Sequence, residues 1–378
     1  MTSATAPRPF VRSRSRREFF AAVAAAAGGA AAFGPLAAFA EATGQPATAS
    51  SGTGETTAPT AAECFALREN GGRIPVILDT DLGDDIDDTW ALLYVLKCPE
   101  LDVRLISCET PRSVYRAKIV AKFLEAVGRT DIPIAVDRKG SNDGGRQSDW
   151  VADYDLESYS GTLIDGPAEA MVEAINTSEQ PLTVVAIGPV PEVARAVRLD
   201  PWIGRKARFV GMHGSIYKGY VQADDPNEPT NEYNVKVDPA ALRTVLEAEW
   251  EPTLTPLDTC GRLRLAGDRY RQVRESNSPG VAELMANYDV WLPNAKWVGK
   301  IDPEQQSTIL FDIVAITLAF SEEWCQMETL PLEVDDEGYT RINRQDGRPT
   351  RLALEWRDLD AYEQHVVDRL TSDIAPAV

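Results

Sequence analysis

Arg73-Ile-Pro-Val-Ile-Leu-Asp-Thr-Asp-Leu-Gly-Asp-Asp-Ile-Asp-Asp-Thr-Trp-Ala-Leu-Leu-Tyr-Val-Leu96 is the stretch from which the fold is read. Residues 73–78 form a short, continuous apolar run with no polar alternation, the pattern of a strand buried on both faces of a parallel sheet. Thr89 to Leu96 is apolar enough to be a buried helix. Between them, six of the ten residues from Asp79 to Asp88 are aspartates. Downstream the same alternation repeats. Leu101–Ser107 reads as a strand, Val114–Val127 as a helix stopping at Gly128, and Ile132–Val136 as a strand. Ala168–Ile175 is helical, Leu182–Ile187 is a buried strand broken by Gly188-Pro189, and Glu192–Leu199 is a helix. Ala207–Met212 is a further strand, and Pro239–Ala248, 280–290 and 308–320 carry helical spacing. Leu330–Leu354 reads as a β-meander and Leu359–Leu370 as a closing amphipathic helix. The fold class is therefore α/β, a mostly parallel twisted sheet with helices on both faces. Two irregular stretches, 141–161 and 217–230, are long enough to be functional loops.

The chain has 378 residues. Residues 1–40 read as a twin-arginine signal peptide: Arg16-Arg17-Glu18-Phe19-Phe20, an Ala/Gly-rich apolar run, and the small-x-small site Ala38-Phe39-Ala40. Gly28, Gly29, Gly34 and Pro35 break that run, so a membrane span is disfavoured. Residues 41–72 read as a flexible linker, and 73–378 as one catalytic domain. The expected location is periplasmic or extracellular, with no membrane attachment after cleavage. A net charge of −20 excludes nucleic acid polymers and anionic membranes as partners. It suits a small neutral or cationic substrate or a divalent cation. Cys64, Cys98, Cys108, Cys260 and Cys325 have no C-x-x-C spacing and no nearby histidine, which argues against zinc and for buried, inert thiols. Only His213 and His365 are present, so histidine chemistry is scarce.

The acids lie just beyond the carboxyl end of the first strand, where open α/β sheets place their ligands. Six carboxylates so close repel one another unless a cation or protons intervene. A helix N-terminus uses one or two acids, not six. Oxygen ligands without Cys or His favour calcium or magnesium.

Asp79-Thr-Asp81-Leu-Gly83-Asp-Asp-Ile-Asp87-Asp88-Thr-Trp-Ala-Leu92 resembles the D-T-D-x-G-x-D-D-A-x-A-L signature of nucleoside hydrolases, with two residues inserted after the glycine. The resemblance covers most of residues 73–370. It implies Ca2+ held by Asp81, Asp88, Asp312 and the Ile187 carbonyl, with Asp87 as the base that activates water and Asp79 as a supporting acid. Because of the insertion, Asp84 and Asp85 compete with Asp87 and Asp88 for these roles. Ala186-Ile-Gly-Pro189 resembles the turn that turns a carbonyl to the metal, and Leu310-Phe-Asp312 the late metal ligand. Met212-His-Gly-Ser215 and Asn231-Glu-Tyr-Asn234 resemble the sugar-binding segments, giving Asp88, Met212, Glu232, Asn234 and Asp312 as substrate contacts. In an extended segment Glu232 and Asn234 point the same way. The implied activity is hydrolysis of the N-glycosidic bond of ribonucleosides or related ribosides, by a homodimer or homotetramer.

The chain also departs from that pattern. Phe311 stands where many members have a histidine that protonates the departing base, Cys108-Glu-Thr-Pro111 lacks the usual Val-x-Gly-Asn, and Tyr220 replaces an asparagine that contacts the sugar. Trp150, Tyr154, Trp291 and Trp297 fit base stacking or simple packing equally. His365 reads as a surface residue. The expected substrate has a leaving group that needs little help or is activated by stacking on Trp150 or another loop aromatic. Two other classes compete. One is a haloacid dehalogenase-type phosphatase with Asp79 as nucleophile and Asp81 as acid; the other is an exported nucleoside- or sugar-binding protein without turnover.

Overall fold

The computed structural model describes residues 58–296 and 301–377. The signal-peptide and cleavage-site expectations, Trp297, and most of the linker lie outside the described residues. In chain order the elements are α1 (Ala61–Glu69), β1 (Ile74–Thr80), α2 (Asp87–Leu96), β2 (Leu101–Cys108), α3 (Ser113–Ala126), β3 (Ile134–Val136), β4 (Leu163–Asp165), α4 (Pro167–Thr177), β5 (Leu182–Ala186), α5 (Pro191–Leu199), β6 (Ala207–Met212), α6 (Tyr233–Val237), α7 (Pro239–Glu247) and β7 (Pro252–Thr255). They continue with β8 (Arg264–Ala266), α8 (Gly267–Arg274), α9 (Val281–Trp291), β9 (Gln306–Ile309), α10 (Phe311–Leu318), β10 (Cys325–Val334), β11 (Thr340–Ile342), β12 (Arg348–Trp356) and α11 (Leu359–Leu370).

A ten-stranded sheet runs β11-β10-β12-β7-β6-β5-β1-β2-β3-β4, parallel from β12 through β4. All seven residues of β1 are buried, and they serve two cores. Ile74, Val76 and Leu78 pack with α2, α3 and α8 to α11. Ile77 packs with α4, α5 and α7 on the opposite face. That is why the run 73–78 shows no polar alternation. The three C-terminal strands do not stand apart as a meander. The long β10 lies between β11 and β12, antiparallel to both, and β12 joins β7, so they continue the large sheet.

One expectation is corrected. Residues 61–69, read as linker, form helix α1. A capping box between Thr60 and Glu63 starts it. Cys64 is buried in the core, and the Arg208 guanidinium lies 5.3 Å from the Phe65 ring. All five cysteines are free and buried.

β1 has β2 on one side and β5 on the other, so the chain reverses its winding between β1 and β5. At such a switch point the loops leaving the two strands diverge and open a crevice. The acids after β1 and the turn after β5 meet there.

Candidate active site

A cavity of about 490 Å³ opens at that crevice. Its lining takes in Asp81, Asp84, Asp85, Asp87, Asp88 and Asp312, with Ile187, Met212, Glu232 and Asn234 across from them. Asp87 and Asp88 occupy the first turn of α2 and Asp312 the first turn of α10, two helices that pack against each other. Both helix N-termini thus direct their positive ends at the acids. One carboxylate oxygen from each of Asp87, Asp88 and Asp312 lies within 4.8 Å of the others, and all three residues are buried. Burial first, and then repulsion from neighbouring aspartates, raises the pKa of each well above the usual carboxylate range. Thr80 Oγ1 donates to Asp88 Oδ1 at 2.5 Å and fixes its orientation.

The acids on either side of the two-residue insertion sit in different settings. Asp84 pairs with Arg112 and Arg116 of the α3 region, at 2.5 and 3.0 Å. Asp85 accepts its neighbour's amide, from Ile86, and burial raises its pKa to about 6. Asp81 is buried beside the trio and faces Arg116 Nη1 at 3.4 Å. Gly83, at φ 117°, admits this loop: a Cβ there would come within 2.6 Å of the Tyr115 ring.

Asp79 is fully buried beside Ser107 and Glu109, and burial pushes its pKa to about 7. It sits beside Glu109, at the end of β2, which is itself 1% exposed. Glu109 Oε1 accepts the Val190 amide at 2.9 Å, bracing the turn that follows β5. Gly188 makes room for that carboxylate, since a Cβ there would lie 2.7 Å from Oε1. Ile187 precedes this turn, and its carbonyl accepts from Asn234 Nδ2 at 3.2 Å, which places it at the cavity wall. Glu109 and Arg116 were not singled out from the sequence. Neither lies in a local motif; what marks them is the tertiary partner each meets.

Glu232 and Asn234 do not lie in an extended segment. Glu232 is the N-cap of α6, and its carboxylate accepts the amides of Gly214, Asn234 and Val235. Asn234 spans the carbonyls of Ile187 and Met212. The two still line one cavity because the cap folds the Glu232 side chain back over α6. Burial holds the Glu232 pKa at about 7 despite its three donors.

The aromatics divide clearly. Trp150 is buried against Phe123 and Lys122, Tyr154 donates to Glu125, and Trp291 is buried with its Nε1 on the Asp84 carbonyl. None of the three lines the cavity; Tyr220, Tyr233 and Phe311 do. The expected stacking on Trp150 is thereby corrected. His213 is buried with Nε2 2.9 Å from the Gly188 carbonyl. His365 is half-buried rather than on the surface, packed on Trp324 and Tyr362.

Known proteins carry the same arrangement of chain. The pyrimidine-specific ribonucleoside hydrolase RihA of Enterobacter sp. (strain 638) is 30% identical over 248 residues, 59% of this chain and 74% of its own. Its counterpart in Escherichia coli O1:K1 is also 30% identical, over 246 residues. Among solved structures, a plant nucleoside hydrolase superposes with a TM-score of 0.65 at 21% identity, covering 79% of this chain and 99% of its own. The purine-preferring ribonucleoside hydrolase of Gardnerella vaginalis does so at 0.63 and 18%, covering 79% and 98%. These structural likenesses speak for the fold. Residues 76–364 match the inosine-uridine preferring nucleoside hydrolases from the first strand's acids to the last helix, so the chain belongs to that family and is an N-glycosyl hydrolase that splits ribonucleosides into ribose and base.

Proposed function

We propose that this hydrolase is calcium-dependent, with Asp81, Asp88, Asp312 and the Ile187 carbonyl as ligands and Asp87 as base. The observation that carries the reading is the convergence of Asp87, Asp88 and Asp312 within 4.8 Å, with no Lys or Arg paired to any of them among the described residues. Three buried carboxylates at that spacing suit a hard cation better than mutual contact. Such a cation supplies fixed positive charge that acidifies water and holds sugar hydroxyls. Asp87, whose proton affinity is raised by burial and by Asp85, accepts the proton of the attacking water. Glu232 and Asn234 hold the ribose hydroxyls at the opposite wall, which keeps the anomeric carbon in line with the water. The C1′–N bond then breaks through an oxocarbenium-like transition state. Uridine and cytidine are the first substrates to expect, in line with the pyrimidine-specific relatives. We further propose twin-arginine export to the periplasm or exterior and assembly as a homo-oligomer.

The test is ribose release from uridine, cytidine, inosine and nicotinamide riboside, before and after chelation and after adding calcium back. Turnover that survives complete removal of divalent metal sinks the calcium assignment.

A further inference from the structure

Phe311 lines the cavity beside Asp312, and neither histidine of this chain is among the lining residues. His213 is sealed under the β5 turn, and His365 packs on Trp324 away from the cavity. The other donors lining the cavity are engaged or exposed. Asn234 Nδ2 is spent on two carbonyls, and Asn231 Nδ2 donates to the Glu337 carbonyl at 3.1 Å. Arg146 donates to the Asp84 carbonyl, while Gln222 and Lys236 lie exposed at the rim.

Tyr220 differs from all of these. Its hydroxyl accepts the Tyr233 amide N–H at 2.8 Å. A phenol has one proton to give, and here the lone pair is occupied while no acceptor among the described residues takes that proton. The ring stands edge-on to Phe311 at 6.0 Å and 82°, one residue from Asp312 on the cavity wall. Burial, then the nearby Glu232 carboxylate, raises its pKa, so it remains a neutral donor at working pH. The amide that feeds its oxygen also polarises the O–H.

We propose that the Tyr220 hydroxyl is the leaving-group donor of this enzyme. The proposal rests on the hydrolase reading above. As the C1′–N bond breaks, its electron pair passes to the base. The Tyr220 O–H donates a hydrogen bond to the base heteroatom that takes up this charge, and the released base then acquires its proton from solvent. The phenol keeps its own proton throughout.

The experiment compares kcat/KM for uridine with that for p-nitrophenyl β-D-riboside, whose leaving group needs no donor. Tyr220→Phe keeps the ring against Phe311 and should lower uridine cleavage ~10- to 100-fold, as for removal of one transition-state donor. The aryl riboside should change by less than ~3-fold on the same grounds. Parallel losses on both substrates would assign Tyr220 to the sugar or to structure and overturn the proposal, as would no loss on either. A second pair keeps the test open should Tyr220→Phe fold poorly. Tyr233 is the first residue of α6, where proline is tolerated, and Glu232 before it already has the extended backbone that proline requires. Tyr233→Pro removes the amide donor and Tyr233→Ala retains it. Uridine cleavage should be slower in Tyr233→Pro than in Tyr233→Ala while aryl riboside cleavage matches; equal rates on uridine overturn the proposal. Wild-type protein that releases ribose from neither substrate overturns the hydrolase reading itself, and Tyr220 with it.

Discussion

The carboxylate of Glu109 accepts the amide of Val190 at 2.9 Å, in the turn where Val190 holds a φ of 61°. A β-branched residue avoids that region, so the turn persists only because its surroundings hold it. Glu109 comes from β2 and the turn from β5, with β1 between them, so the three strand ends at the switch point are tied together. The Ile187 carbonyl, which we assign to calcium, opens this same turn.

Replacing Glu109 with Ala should therefore cost metal more than fold. The Val190 amide loses its partner, a penalty of about 1–3 kcal/mol. Calcium affinity should fall ~10- to 100-fold, as for other partners that orient a ligand. Glu109→Gln keeps an acceptor and should retain most of the affinity. Calorimetric calcium titration of both variants checks this, and equal affinities in wild type and Glu109→Ala would show that the turn needs no brace.

Asp87 and Asp84 lie three residues apart but sit in opposite electrostatic settings. Asp84 is neutralised by Arg112 and Arg116, while Asp87 faces Asp312 and Asp85. Asp87→Asn should slow ribose release ~10²-fold or more with a much smaller change in KM. Asp84→Asn should mainly loosen the loop against α3, seen as a lower melting temperature. Should Asp84→Asn be the inactive protein and Asp87→Asn the active one, the register across the insertion is reversed.

The features legible in the sequence are those encoded locally. The run 73–78 is apolar throughout because both faces of β1 are covered, and the acids follow it directly. Asp312 stood out through the resemblance of Leu310-Phe-Asp312 to a late metal ligand, and a buried acid among apolar residues needs a partner. Helix α1 was hidden because it follows an Ala- and Thr-rich segment without a break and opens on two alanines itself. Its reason to fold, Cys64 and Phe65 against the core, lies more than a hundred residues away at Arg208 and Thr183. Glu232 and Asn234 line one cavity, though not through the extended backbone that the sequence suggested. The pairing survives because a side-chain cap replaces the strand. Trp150 cannot be distinguished from a base-stacking residue without knowing that Phe123 and Lys122 enclose it.

Glu232 sets a pH dependence on the metal-free protein. Its folded pKa of about 7 exceeds the ordinary value, so its contribution is fully present below about 4.5. Between about 4.5 and 7 the folded state binds more protons than the unfolded one, so stability falls as pH rises through that range. Urea denaturation of chelated protein across this range should show a decline that Glu232→Gln lacks in part. If the variant's curve runs parallel to wild type, Glu232 is ionised in the fold and its three amide donors outweigh its burial.

Phe311→His tests the leaving-group wall from the other side. Position 311 opens α10 next to Asp312, and its ring meets Tyr220 edge-on, so an imidazole there faces the same part of the cavity. An imidazole that reaches the base adds a second donor, one that can give up its proton outright. Cleavage of uridine and inosine should then rise ~10-fold or more relative to p-nitrophenyl β-D-riboside, a modest fraction of what general acids supply. The rate on the natural nucleosides should also gain a limb that falls as pH rises through about 6 to 7, where imidazole loses its proton. The aryl riboside should show no such limb, because its leaving group has no use for the proton. A variant that accelerates both substrates equally, with no new limb, would mean that the gain comes from a reshaped wall rather than from acid catalysis.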